Sequence, residues 1–182
     1  MTTALSTRFT DRFQLSTPVA LAPMALASGG ALASATARAG ALGLVGGGYG
    51  DLAWTQREYT LALSATGTGR IGCGFITWKL DEDASALDWV LNLPPEDRPR
   101  ALMLSFGDPR PYAARIAQAG CTLICQIQRM AQAPLALEAG AAVIVAQRQR
   151  PLHRVVGGGC GKHGQRGGHR HQRSQRPADA SL

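Results

Sequence analysis

No stretch of this 182-residue chain reaches the ~18 consecutive apolar residues that a spanning helix needs, so no membrane span is expected. The amino terminus, MTTALSTRFT, lacks the long apolar core of a secretory signal. The four cysteines, Cys73, Cys121, Cys125 and Cys160, have no disulfide pattern, and Cys121 and Cys125 miss the spacing of a redox CxxC pair. A reduced, cytoplasmic protein is the expectation, with three of the thiols acting as small buried groups in or beside strands. Acid is almost missing from residues 148–182, and aromatics are missing there altogether. That stretch sets eight Lys+Arg against Asp179 alone, whereas residues 1–147 balance their acids and bases, so the net charge of +7 lies wholly in the tail. A neutral body and a tail without stacking aromatics argue against a nucleic-acid partner. All four histidines lie in the same stretch, and His163, His169 and His171 have no carboxylate or paired thiol beside them, so no metal site is expected. With so few apolar residues, 148–182 cannot offset its ordering entropy and is expected to be a disordered, basic Gly/Arg/His-rich tail, non-native in origin.

Residues 1–147 repeat a strand–helix beat. The apolar run 18–22 ends in Pro23 and predicts a buried strand. A tight loop over 24–28 follows, with Ser28 as N-cap for a small-residue helix over 30–39 that Gly40 stops. Residues 41–45 predict a second strand, closed by Gly46-Gly47-Gly48. Further on, the pattern predicts helices over 52–65 (Asp51 as N-cap), 81–93 (opened by Asp81-Glu82-Asp83), 111–119 and 130–139. Strands are predicted over 71–77, 101–105, 122–127 and 142–146. Six strands, each but the last followed by a helix, give an α/β domain over 1–147. Both an open doubly wound sheet and most of a (β/α)8 barrel fit.

Several short motifs carry less than their letters promise. Gly67-Thr68-Gly69-Arg70-Ile71-Gly72 spells G-x-G-x-x-G but precedes a strand, where no helix N-terminus receives a pyrophosphate, so it is a turn. Gly46 to Gly50 follows a strand, yet Asp51 fills the third glycine slot. Gly161-Lys162 misses the phosphate-loop pattern at Val156 and at His163. The turn Ala22-Pro23-Met24-Ala25 is more specific. A proline at a strand's C-terminal end, followed by small residues, lets backbone approach a flat ring, and both candidate folds bind ligands at that end.

PVALAPMA followed by LASATARAGALGLVGGG resembles the nitronate monooxygenase (2-nitropropane dioxygenase) family, flavoproteins that bind FMN on a (β/α)8 barrel. IGCGFITW at 71–78 and the region 104–147 are similar to it in the same order. The resemblance implies an incomplete TIM barrel of about six βα units and an oxidoreductase acting on a small-molecule alkyl nitronate with O2. It implies cofactor contacts from Ala22, Pro23, Met24 and Ala25 and from the amides Gln126 and Gln147. Gly74 is placed with them, standing where many members carry an Asn that touches FMN. In the family, the Ala-Gln that ends strand six runs on into a Glu-Ala-Gly-Gly-His stretch bearing the catalytic base. Here Ala146-Gln147 runs into Arg148-Gln149-Arg150, so no catalytic residue is assigned. Strands seven and eight are also missing, which fits a truncated or frameshifted member whose unpaired barrel edges self-associate. Another FMN barrel enzyme (a flavin-type enoyl reductase or an IMP-dehydrogenase-like enzyme) and an inactive fragment with a basic nucleic-acid-binding tail are the alternatives.

Overall fold

A computed structural model describes residues 5–67 and 69–147. What the sequence predicts for 148–182, including the tail's disorder, its histidines, Cys160 and Gly161-Lys162, lies outside them. Five strands form one sheet: β1 (Gly43–Gly48), β2 (Ile71–Ile76), β3 (Ala101–Ser105), β4 (Thr122–Ile127) and β5 (Val143–Ala146). Every neighbouring pair is parallel, and the spatial order β1-β2-β3-β4-β5 is the chain order. A doubly wound sheet reverses its order at a switch point, whereas a barrel winds one way throughout. With no reversal and helices between strands, the domain is an incomplete (β/α)8 barrel.

The helices are α1 (Arg8–Phe13), α2 (Gly30–Arg38), α3 (Leu52–Thr66), α4 (Thr77–Leu80), α5 (Ser85–Leu91), α6 (Arg110–Gln118) and α7 (Ala133–Glu138). Successive strand residues point to opposite faces, and two apolar clusters result. Val45, Cys73, Phe75, Leu102, Leu104, Leu123 and Cys125 face the helices, packing with Ala33, Tyr59, Leu87 and Ile116. Leu42, Leu44, Ala101, Met103 and Ile124 face the other way and are met by Phe13 and Leu15. Burial holds the thiols protonated: Cys73 is pushed up to about 12, and Cys121 and Cys125 to about 11. Among the described residues no helix is long and apolar enough to cross a membrane.

Four expectations need correction. Residues 18–22 are not a buried strand: Val19 is half exposed, and one bridge, Ala20 with Leu42, joins the segment to the sheet. Pro18 and Pro23 have no N–H to give a ladder, so pairing ends after Leu21 N donates to Leu42 O and Leu42 N to Val19 O. Ser28 is not the N-cap of α2; Gly29 is, with no side chain to cap, and the Glu58 carboxylate of α3 accepts from Gly30 N at 2.9 Å instead. β1 does not stop at residue 45 but runs through all three glycines, with a bulge between Gly46 and Gly48. The helix expected over 81–93 begins only at Ser85, as α5, with the separate short α4 before it, because Asp83 turns the chain by accepting from Ser85 N at 2.8 Å.

Candidate functional site

A cavity of about 620 Å³ opens at the C-terminal ends of the strands. Its residues come from strand ends and the loops after them: Gly48 and Tyr49 after β1, Phe75 and Ile76 from β2, and Met103, Ser105 and Phe106 from β3. Gln126 of β4 and Val145, Ala146 and Gln147 at the end of β5 complete that side. Opposite them lies the turn from Ala22 to Leu26. The sheet register puts Ser105 beside Gln126 and Gln126 beside Val145, so the polar atoms gather on neighbouring strands at one level. Gln126 Nε2 donates to Gln147 Oε1.

The glycines explain how the turn reaches the cavity. A Cβ on Gly46 would lie 2.3 Å from the carbonyl oxygen of Met24, and one on Gly48 would lie 2.4 Å from the Ala25 Cβ. Only bare backbone in β1 lets the turn rest directly on the sheet. Gly48 also adopts φ +44, the left-handed region that the bulge uses. Trp54 Nε1 donates to Gly46 O at 3.0 Å and fixes the bulge from the helix side.

Six of the seven residues singled out from the sequence, namely Ala22, Pro23, Met24, Ala25, Gln126 and Gln147, line this one cavity. Gly74 does not; it lies beneath Pro23, where a Cβ would sit 2.3 Å from the proline Cγ. A glycine there lets the proline ring settle on the sheet, and a larger side chain would need the same space. Sequence reasoning missed Tyr49, Phe75, Ile76, Met103, Ser105 and Phe106. Ile76 and Ser105 end their strands, and that position was a usable signal. The others depend on register and loop path.

Among the described residues, none that lines the cavity is charged. Its side-chain polar groups are two carboxamides, the Ser105 hydroxyl and the Tyr49 phenol, which with backbone groups can donate and accept at a ring edge. Apolar walls, this volume and this donor set fit a flavin ring. They offer nothing to neutralise a phosphate. The titratable groups held away from their ordinary values lie elsewhere. Asp108 is held low chiefly by hydrogen bonds from Arg110, and the Tyr112 phenol is raised to about 12 by burial, helped by its 2.6 Å bond to Asp81.

No protein-family model and no curated protein matches the chain. Solved structures do match. A FabK mutant (M276A) from Thermotoga maritima aligns with 25% identity and TM-score 0.64 over 78% of this chain. Unmutated FabK from the same organism aligns at 23% identity and TM-score 0.63 over 78%, a likeness of fold alone. Nitroalkane oxidase from Streptomyces ansochromogenes aligns at 25% identity and TM-score 0.64 over 76%. The alignments cover 46%, 44% and 47% of those proteins, so this chain spans under half their length.

Proposed function

We propose that this chain carries the ring-binding part of an FMN-dependent oxidoreductase of the nitronate monooxygenase type, with an alkyl nitronate and O2 as substrates. The seating of the 22–26 turn on Gly46 and Gly48, across an uncharged cavity from Gln126 and Gln147, carries the proposal. Likeness to nitroalkane oxidase supports the same direction. When bound, FMN supplies two-electron redox chemistry. The chain's own residues bind and orient. The turn from Pro23 to Ala25 would hold one face of a flat ring with backbone and side chains, and the two carboxamides could pair with its polar edge. Phe75 and Met103, both buried, give that side an apolar wall. Among the described residues no carboxylate or imidazole lines the cavity, so a neutral nitroalkane would find no base for its α-proton. A preformed nitronate has already lost that proton and is the substrate form this cavity suits.

The visible absorbance of the purified chain, followed by titration with FMN and with lumiflavin, tests the proposal. Flavin bands are expected, with lumiflavin and FMN binding within about tenfold of each other because the described residues that line the cavity hold no counter-charge for phosphate. Oxygen uptake with an alkyl nitronate, and none with the parent nitroalkane, is the expected activity. A colourless protein that binds neither flavin would overturn it.

A further inference from the structure

The turn that faces the cavity closes on a single buried side chain. Ser28 is fully buried. Its Oγ donates to Ala22 O at 2.6 Å and accepts from Met24 N at 3.2 Å. Its backbone N donates to Met24 O at 2.9 Å, and its carbonyl accepts from Gly46 N at 2.8 Å. One residue therefore ties the start of the turn to its end and the whole turn to β1. Within the loop Leu26 is held at φ +60, a left-handed conformation that costs a branched residue free energy and persists only where its surroundings enforce it. Leu26 is itself largely exposed, so its own packing does not enforce it.

We infer that Ser28 is a positioning residue: its hydroxyl holds the 22–27 turn in the shape that presents Pro23, Met24 and Ala25 to the cavity. Its bearing on flavin rests on the function proposed above; its hold on the turn does not. The hydroxyl is used at both ends, as donor to Ala22 O and acceptor from Met24 N, so an alanine removes both bonds and leaves the turn's start to the three-residue bond from Met24 N to Ala22 O at 2.9 Å. Ser34 provides the comparison. It is also buried and also donates to a carbonyl, Ala31 O at 3.0 Å, but wholly within α2.

Amide hydrogen exchange on the full chain, with lumiflavin titration alongside, tests the inference. In the unaltered protein the Met24 amide is expected to exchange at least tenfold more slowly than that of Leu26, for which no acceptor is present among the described residues. In Ser28→Ala the Met24 amide keeps its bond to Ala22 O but loses the one to the hydroxyl that fixes this turn, so its protection should fall about tenfold while the amide of Gly43, bonded to Arg70 O, keeps its rate. Lumiflavin affinity should fall by a similar factor, and Ser34→Ala should change neither readout. Met24 exchanging as fast as Leu26 in the unaltered chain overturns the inference and needs no variant that folds. Equal loss of affinity in both serine variants overturns it too, since a general loosening would then explain the effect. If the unaltered chain binds no lumiflavin, the proposed function fails, and the exchange rates alone decide whether Ser28 holds the turn.

Discussion

Gly46 and Gly74 occupy two positions where one added carbon would reshape the cavity. At Gly46 the obstacle is backbone, the Met24 carbonyl, which moves only if the turn moves. At Gly74 it is the Pro23 ring, which has no rotamer to escape into. Alanine at either position is expected to cost about 1–3 kcal/mol, the ordinary penalty of overpacking. It should also weaken lumiflavin binding, because the part displaced is the turn itself. Gly69→Ala meets nothing within 4 Å and should stay within about 0.5 kcal/mol of the parent with unchanged flavin affinity. Urea midpoints and flavin titrations on the three variants check this. A Gly46→Ala protein with parental stability would mean that the turn does not rest on β1. Gly74 also shows what sequence could and could not supply. Resemblance placed it near the cofactor, but only the packing reveals that it supports Pro23 and touches no part of the cavity.

The elements differ in how they find their end groups, and that difference separates what was legible from what was not. Asp51 caps α3 locally, accepting from Trp54 N at 2.8 Å, and a local cap can be read from three residues. α2 takes its cap from Glu58, 28 residues further along the chain, which no local pattern displays. Asp51→Ala is expected to cost about 1 kcal/mol. Glu58→Ala should cost about 1.5–3 kcal/mol, because a partly buried charged acceptor is lost from a helix start that has no other cap. Chemical denaturation checks both, and a Glu58→Ala cost below that of Asp51→Ala would contradict this assignment. The inner strands were legible because apolar runs bounded by glycine suit a strand covered on both faces. α1 was not: RFTDRF is mostly polar, and its helix is fixed by Thr7 and Thr10 capping one another and by Phe13 entering the inner cluster. The cavity was half legible. Its turn is contiguous in sequence, whereas its far wall is assembled from the ends of five strands.

At the scale of the molecule, two properties follow from where the core is closed and where it is open. Closure shows in the thiols. Cys73, raised to about 12, and Cys121 and Cys125, raised to about 11 by burial, stay protonated in the folded state above pH 9, whereas an unfolded chain ionises them near 8.5. Folded pKa values above the unfolded ones mean stability that is full below about pH 8.5 and declines between there and 11. Each thiol removes up to about 1.4 kcal/mol per pH unit in that window. Urea midpoints should therefore be flat from pH 7 to 8 and fall by pH 10.5; a constant midpoint would place the thiols in water. Openness shows at β5. β1 to β4 are almost wholly buried, but β5 is half-buried at Val143 and Ile144, exposed beyond them, and among the described residues pairs only with β4. The Val19 segment is likewise joined to the sheet on one side only, through Leu42. Met24, Leu26 and Phe106 add exposed apolar surface at the strands' C-terminal ends. Such edges and patches recruit further strands and surfaces. In the solved structures this chain resembles, the aligned part is under half of the protein. The full chain is therefore expected to self-associate, its weight-average mass rising with concentration in sedimentation. A constant monomer mass with one cooperative thermal transition would instead require β5 to be covered from within its own chain.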